Sequence, residues 1–297
     1  MKSPLSEMRR LSADMHGGQR ASRGNRASRA IKAGYKDAAD FFTTRHEFFS
    51  LPGRHPYKRS MIQTAMTEWS QEAVARCVST VVRSRRAVRA FKPQPLRREI
   101  VEEILEDAAA APSGANIQPW RVYVLSGKVK DALTSTLVEA SRAGTAPAPA
   151  HFPEPLPDLL RARLLDFGAR YYASLGIDRS DAEARTRQTE KNYAFFGAPV
   201  GLVFSIDRRL KPHSWIDLGL FAQNLMIAAK ARGIDTCPQV AFAPFHDQIA
   251  AHLQMPPQEL TAFGMAMGYA DPEAPVNRAR MPRAHRHEFA RLHGFAA

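Results

Sequence analysis

One short stretch of the chain concentrates positive charge: residues Arg83 to Phe91 read RSRRAVRAF. Four arginines fall within seven residues, next to the apolar side chains of Val88 and Phe91. Arginine carries a planar, permanently charged guanidinium that binds phosphate through two hydrogen bonds at once. Taken alone, the stretch is equally compatible with a solvated helix end. It therefore makes a phosphate-binding turn a candidate, to be weighed against the rest of the chain.

Two further segments have compositions that suit a binding site. Ala111 to Trp120 reads APSGANIQPW, and its prolines and glycine hold the backbone to a defined path. Ser113, Asn116 and Gln118 place short polar groups on this path, where they could face a flat polar ring. The second segment, Thr236 to Phe242, reads TCPQVAF and follows a strong helical pattern. Each segment alone could be an ordinary connection between secondary-structure elements.

The apolar pattern places these motifs in an α+β framework. Helices are predicted at 70–84, which Ser70 opens, and at 98–110 and 214–232, where apolar residues recur at helical spacing; the polar residues 158–196 are also predicted to be helical and to form a mobile lid. In the last helix, Ser214 and Asp217 form a capping-box pattern, and Gly233 is suited to end it. Strands are predicted at 121–125, 200–206 and 263–269. Because helices dominate and strands are scattered, we predict an α+β fold rather than a doubly wound sheet.

The formal net charge of +13 is concentrated at the N-terminus. Residues 1–60 carry four Lys and nine Arg against five acidic residues, a net +8. Such a segment buries too little apolar surface to offset the entropy of ordering it. We therefore divide the chain into a basic extension, residues 1–65, and a main domain, residues 66–297. The extension is expected to be disordered or to reflect a start codon assigned too early; a functional basic arm is the alternative.

Several classes of protein are not favoured by the sequence. Cys77 and Cys237 lie far apart, which argues against a disulfide framework and fits a reducing cytoplasm. The apolar runs are too short to span a bilayer. The spacing of His285, His287 and Glu288 matches no common zinc pattern, so no metal is expected. Neither GxGxxG after a strand nor GxxxxGK[ST] occurs, so neither a Rossmann site nor a P-loop is predicted.

The order of the motifs resembles the FMN-dependent nitroreductase family, in particular its bacterial nitrobenzoate and general nitroreductase branch. An Arg-rich turn is followed by PSGxNxQPW, then by a central helix leading to TCPQ, then by GYADPxAPVNxxR. The resemblance covers about residues 74–297 and includes NYAFFGAPVGLVFSIDR, from Asn192 to Arg208. It implies a three-layer α-β-α fold with a mixed, mainly antiparallel central sheet flanked by helices, in an intertwined homodimer.

The resemblance also implies which residues bind FMN. The positions around the phosphate, the ribityl chain or the ring edge are Arg85, Arg86, Ala87, Arg89 and Arg280. The positions that reach over the isoalloxazine from the partner subunit are Ser113, Gly114 and Asn116. The main chain that lies along the flavin, with an N–H facing N5, belongs to Pro238, Gln239 and Val240.

The same resemblance implies the reaction. NAD(P)H would deliver a hydride to flavin N5, and a small oxidised substrate such as a nitroaromatic or a quinone would accept it in a ping-pong scheme. The sequence offers no convincing acid–base or nucleophilic set, which agrees with chemistry held by a cofactor. We therefore predict a cytoplasmic, homodimeric FMN-dependent NAD(P)H oxidoreductase that acts on a small-molecule oxidant. No membrane or nucleic acid is expected as a partner of the main domain.

Three alternatives stay open at this point. The flavin-destroying dimethylbenzimidazole synthases have an acidic residue after the paired arginines, where this chain has Ala87. Iodotyrosine deiodinases share the RRxVR and PSGA motifs. Their lid binds an amino acid zwitterion through a Glu, a Tyr and a Lys, and this set is not found in residues 158–192, although Lys191 and Tyr193 are nearby. Reductive dehalogenation is therefore the runner-up activity. From a different class, the basic residues 1–60 could make the chain a nucleic-acid-binding protein.

Overall fold

The structure is a computed structural model that describes residues 70–144 and 152–295. The predicted boundary between residues 65 and 66, and the extension before it, lie outside the described residues. The described part begins at Ser70, whose hydroxyl accepts a hydrogen bond from the Ala73 N–H at 3.2 Å and so caps the first helix. This confirms the helix start predicted at Ser70.

Four strands form one sheet in the order β1-β2-β4-β3. They are β1 (Arg121–Ser126), β2 (Val200–Asp207), β3 (Asp235–Gln239) and β4 (Glu259–Gly268). All three pairings are antiparallel, and one isolated bridge, between Ala87 and Thr236, is parallel. The α+β class with a mainly antiparallel sheet is therefore confirmed, and the four described strands pair in the antiparallel sense only. The TCPQ segment, for which no strand was predicted, lies in edge strand β3; an edge strand accommodates Pro238 because it lacks a second neighbour to which that residue would donate.

The helices surround this sheet. In chain order they are α1 (Gln71–Ser84), α2 (Arg98–Ala109), α3 (Gly127–Arg142), α4 (Asp158–Ser174), α5 (Ala182–Glu190), α6 (Pro212–Ala231), α7 (His246–Leu253), α8 (Pro275–Arg278) and α9 (Arg286–Phe289). Short 3-10 turns lie at Gly114–Asn116, Phe195–Gly197 and Val240–Phe245. None of the helices in the described part of the chain is long and apolar enough to cross a membrane.

Alternating side chains of β2 divide the core into two layers. Leu202 and Phe204 pack with the buried residues of α2 and α6, while Val203 packs on the opposite face with those of α3 and α7. This alternation is what a strand buried on both faces requires, and it explains the continuous apolar run of β2. The sheet therefore lies between two helical layers, as the predicted α-β-α architecture requires.

Helix α6 begins earlier than predicted. It starts at Pro212, with Lys211 as the N-cap residue, because proline at the first helical position has no N–H to leave unpaired. The predicted capping box of Ser214 and Asp217 is wrong, since both residues lie inside the helix. At the other end, Gly233 adopts a φ of +72° and donates to the Lys230 carbonyl at 3.1 Å, which confirms it as the C-terminal stop.

Candidate cofactor site

The Arg-rich turn runs along the edge of the sheet beside β3. The Val88 N–H donates to the Thr236 carbonyl at 3.1 Å, next to the parallel bridge of Ala87 with Thr236. Farther on, the Lys92 N–H donates to the Tyr269 carbonyl at 2.8 Å. Val88 itself is fully buried, so the apolar residue within the motif anchors the turn while the neighbouring arginines stay at the surface of the domain.

Asn277 joins this turn to the C-terminal loop. Its Oδ1 accepts from the Arg89 N–H at 2.9 Å, and its Nδ2 donates to the carbonyls of Ala90 and Asp271, each at 2.8 Å. Only 3% of Asn277 is exposed. An amide in this position satisfies three backbone groups at once. Asn277 therefore fixes the start of the loop that carries Arg280 against the turn that carries Arg89.

These elements border a cavity of about 750 Å³. Seven basic residues line it, and they are Arg83, Arg85, Arg86, Arg89, Lys230, Arg280 and Arg283. None of the described residues in this lining is an aspartate or a glutamate. A concave surface lined by one sign of charge concentrates its field and attracts an anion. Five of the residues predicted to bind a cofactor meet here: Arg85, Arg86, Ala87, Arg89 and Arg280.

The electrostatics of the cavity suit an anionic group with several acceptor oxygens. Burial lowers the pKa of Arg85, and the nearby positive charge of Arg283 lowers it further. The buried Nε of Arg86 has no hydrogen-bond partner among the described residues. A phosphate ester supplies both the opposite charge and strong acceptors. The residues present therefore fit the phosphate of FMN.

Helix α4 closes one side of the cavity with aromatic rings. The guanidinium of Arg89 lies 5.1 Å from the ring centre of Tyr171 and 5.5 Å from that of Phe167. The hydroxyl of Tyr171 accepts from Gln188 Nε2 of α5 at 2.8 Å, and burial raises its pKa. Cation–π contact of this kind holds a guanidinium in place without neutralising it. The α4–α5 segment is thus connected to the cationic turn through Arg89.

Strand β3 leads away from the cavity toward the remaining predicted flavin-binding residues. Pro238 and Val240 are exposed, whereas Gln239 is buried and donates from Nε2 to the Asn192 carbonyl. The side chain of Gln239 is therefore used within the protein, and the prediction concerns its main chain. Cys237 is buried, and burial raises its pKa to about 11, as expected of an unreactive thiol.

The predicted loop at Ser113, Gly114 and Asn116 does not line the cavity of its own protomer. It lies against α6, where the Gly114 N–H donates to Asp217 Oδ2 at 3.2 Å. Its backbone is unusual: Ala115, Asn116 and Gln118 have φ values of +50°, +58° and +48°. Left-handed backbone at non-glycine residues is costly and is concentrated at functional sites.

Sequence reasoning missed several residues of the cavity. Lys230 and Arg283 belong to no local pattern, and Asn277 stands in the GYADPxAPVNxxR motif but was given no role; Asn277 and Arg283 flank the recognised Arg280 within seven positions of the C-terminal loop. Lys230 lies in the last turn of α6 and donates to the buried carboxylate of Asp235 at 2.8 Å. Among the described residues, no group of three or more His, Cys, Asp or Glu is arranged to hold a metal ion.

The fold and the cavity together define a class: an α+β domain that presents a cationic cavity for a phosphorylated cofactor beside the edge strand of its sheet. Comparison with known proteins then identifies the family. The model of the nitroreductase family matches residues 82–269. The chain belongs to the nitroreductase family.

Individual relatives agree with this assignment. The chain is 45% identical to a 4-nitrobenzoate reductase of Pseudomonas putida over 215 residues, 72% of this chain and 95% of that protein. It is 41% identical to a nitrobenzene nitroreductase of Ectopseudomonas oleovorans, over 71% of this chain and 95% of the relative. Among solved structures, the FMN-dependent nitroreductase NfnB of Mycobacterium smegmatis in complex with NADPH matches with a TM-score of 0.71 at 34% identity, covering 74% of this chain and 99% of the other.

Proposed function

We propose that this protein is an FMN-dependent oxidoreductase that uses NAD(P)H to reduce a small nitroaromatic or similar oxidised substrate. The observation that carries the proposal is the cavity beside β3, which is lined by seven basic residues and by no described carboxylate. The relatives named for 4-nitrobenzoate and nitrobenzene support a nitroaromatic as the oxidant. The NfnB structure, described as FMN-dependent and in complex with NADPH, supports the cofactor and the electron donor.

In this proposal the basic residues bind the phosphate end of FMN. Arg85, Arg86, Arg89 and Arg280 supply charge and hydrogen-bond donors, and Ala87 keeps the turn narrow enough to approach the cofactor. Arg283 adds a further charge at the same cavity. When bound, FMN would supply the redox chemistry, which is hydride transfer between a reduced nicotinamide and the oxidised substrate. The chain itself binds and orients the reactants and limits access of water.

The flavin ring is proposed to extend from the cavity along β3, beside the main chain of Pro238, Gln239 and Val240. A bridge between Ala87 and Thr236 places the Arg-rich turn directly beside β3. This supports a flavin ring that runs from the cavity along that strand. The proposed neighbours over the ring, Ser113, Gly114 and Asn116, come from the partner subunit. Their absence from the cavity of their own protomer agrees with that assignment.

A homodimer is part of the proposal because two helices expose apolar side chains. Helix α1 buries no residue within the protomer, and Val78 is 54% exposed. On α6, Ile216 is 60% exposed and Leu220 is 41% exposed. Contiguous exposed apolar surface of this kind marks an interface. Ile117, beside the strained loop, is also exposed, so the same interface would bring that loop to the partner's site.

The cofactor proposal is tested with the purified full-length protein. It should be yellow and should release FMN when it is denatured by heat. Replacing Arg85 or Arg280 with Ala removes a charge-assisted contact, which should raise the Kd for FMN about 10- to 100-fold. Arg98→Ala is the matched control, since Arg98 pairs with Glu102 on the exposed face of α2. A protein that cannot be reconstituted with FMN, or equal Kd values for all variants, would contradict the proposal.

The substrate proposal is tested by reducing the bound flavin without oxygen and mixing it rapidly with candidate oxidants. We expect 4-nitrobenzoate and nitrobenzene to reoxidise the flavin faster than an iodotyrosine does. Faster turnover of the iodotyrosine, with release of iodide, would instead support the dehalogenase alternative. A parallel experiment compares NADH with NADPH as the reductant.

The domain division is also a proposal. Residues 66–297 should retain FMN and NAD(P)H oxidation, because every residue placed around the cavity lies at or after Val82. If nucleic acid binds the full chain, that binding should weaken steeply with salt and disappear with residues 1–65. Loss of FMN on this deletion would show that the extension belongs to the enzyme. A cytoplasmic location is proposed because both cysteines are free.

A further inference from the structure

Asp217 is a buried carboxylate for which the proposed reaction has no role. It is 9% exposed and lies within α6, rather than at the helix start that its sequence pattern indicated. Its Oδ2 accepts from the backbone N–H of Gly114, which is 103 positions earlier in the chain, at 3.2 Å. A buried carboxylate is costly unless hydrogen bonds compensate it, so this bond is a specific feature of the fold.

The loop that Asp217 contacts is closed by its own hydrogen bonds. Ser113 Oγ accepts from the Gln118 N–H, and the Ser113 carbonyl accepts from the Asn116 N–H, each at 3.0 Å. These bonds fix the shape of the loop but do not attach it to the rest of the domain. Within the described part of the chain, the bond from Gly114 to Asp217 is the side-chain hydrogen bond that joins Ser113–Gln118 to a helix.

The backbone of the loop is strained, so the hydrogen bond between Gly114 and Asp217 matters for keeping its conformation. Three residues of the loop hold left-handed φ values, which an unrestrained chain would leave. The helix that provides Asp217 also carries the exposed apolar residues Ile216 and Leu220, which we assign to the dimer interface. A single side chain thus links the dimer surface to the loop proposed to lie over the partner's flavin.

We infer that Asp217 is a positioning residue that holds the loop Ser113–Gln118 in register with the flavin and the substrate of the partner subunit. This inference rests on the proposed function, since that proposal gives the loop its place. The carboxylate takes no part in hydride transfer. It aligns the groups that cover the ring, and small displacements of such groups are costly for turnover.

Two variants break the bond from opposite sides. Asp217→Ala removes the acceptor, and Gly114→Pro removes the donor while leaving the carboxylate in place. Ser113, which precedes this position, is extended at φ −146° and ψ 152°, the backbone region that a residue before proline adopts. Gly114→Ala keeps the N–H and adds a Cβ at 3.8 Å from Asp217 Oδ2, an ordinary contact, so its effect should be smaller than that of Gly114→Pro.

The experiment uses the full-length, FMN-loaded dimer. Asp217→Ala and Gly114→Pro should each lower kcat/KM for 4-nitrobenzoate about 10- to 100-fold. In Asp217→Ala, which leaves every residue proposed to bind FMN in place, the visible circular dichroism of the bound flavin should change, while FMN content and dimer mass stay as in the wild type. The double variant should lose no more than either single variant, because both remove one interaction. Asp217→Asn, whose amide oxygen still accepts, should recover part of the activity.

The matched control is Asp207→Ala, which removes a carboxylate bonded to Arg209 at an exposed site on β2. Wild-type kcat/KM in both Asp217→Ala and Gly114→Pro, or additive losses in the double variant, would overturn the inference. If Asp217→Ala does not fold, Gly114→Pro and Asp217→Asn decide the same question. A wild-type protein that binds FMN while these variants keep full activity refutes only the role of Asp217. A wild-type protein that binds no FMN refutes the proposed function itself.

Discussion

Replacing Tyr171 separates two contacts of α4, one with Arg89 of the cationic cavity and one with Gln188 of α5. Its ring lies 5.1 Å from the guanidinium of Arg89, and its hydroxyl accepts from Gln188 Nε2 at 2.8 Å. Tyr171 and Gln188 are 8% and 3% exposed, so water does not readily replace either partner. Tyr171→Phe removes the hydroxyl and keeps the ring. Tyr171→Leu removes both contacts.

Tyr171→Phe should therefore affect mainly stability, whereas Tyr171→Leu should affect both stability and FMN binding. Tyr171→Phe leaves a buried amide N–H without its acceptor, which should lower the free energy of unfolding by about 1–3 kcal/mol. In a domain of this size, each kcal/mol lowers Tm by about 2–4 °C. Tyr171→Leu also releases Arg89 from a cation–π contact of about 0.5–2 kcal/mol. Since Arg89 is then less preorganised, the Kd for FMN should rise about 2- to 30-fold.

The assay pairs thermal unfolding of the apoprotein with fluorescence titration of FMN. Tyr171→Phe should show a lower Tm with a nearly unchanged Kd, and Tyr171→Leu should show both effects. Tyr172→Leu is the control, because the ring of Tyr172 contacts Arg185, at 4.3 Å, rather than Arg89. If Tyr171→Phe weakens FMN as much as Tyr171→Leu does, the ring is not what holds Arg89, and the reasoning fails.

Three further predictions concern the core. Ile104→Ala should lower the free energy of unfolding by about 2–5 kcal/mol, because Ile104 is fully buried between α2 and the sheet; urea unfolding with an unchanged m value would measure it. Gly264→Ala should also destabilise the protein, because a Cβ would lie 2.7 Å from the Phe242 ring; Phe242→Leu in the same chain should recover part of the loss. Burial raises the pKa of Cys237 from 9.0 to about 11, so the unfolded chain releases this proton first. Stability should therefore fall as the pH rises through this range, and less so in Cys237→Ala.

The parts of the site that local sequence predicts are those with a local physical signature. The turn from Arg83 to Phe91 was a candidate because it concentrates four arginines beside apolar residues, although alone it was compatible with a solvated helix end. Each of the other motifs was weak evidence alone, and the resemblance to the nitroreductase family rested on the order in which they occur along the chain. The core strand β2 was equally clear, because a strand buried on both faces is a continuous apolar run. The family model confirms the resemblance on which these expectations depended.

The parts that the sequence did not reveal depend on contacts between distant positions. Asn277 donates to the Ala90 carbonyl, 187 positions away, and although it stands in the GYADPxAPVNxxR motif, nothing local indicates that its amide bonds to the Arg-rich turn. Asp217 matched a capping box, but proline at position 212 started the helix earlier and left the carboxylate free to bond with Gly114. Strand β3 was missed because a five-residue edge strand containing proline has almost no periodic signal.

The uniformly positive charge of the cavity affects the stability of the protein when no cofactor is bound. Arg85 and Arg283 repel each other there, and folding the apoprotein must overcome that repulsion without help from any described carboxylate in the lining. Any small multivalent anion that occupies the cavity shifts the folding equilibrium in proportion to its concentration. Phosphate or sulfate in a buffer should therefore stabilise the cofactor-free protein and raise the apparent Kd for FMN. The apparent affinity for FMN is thus a property of the protein and its salt together.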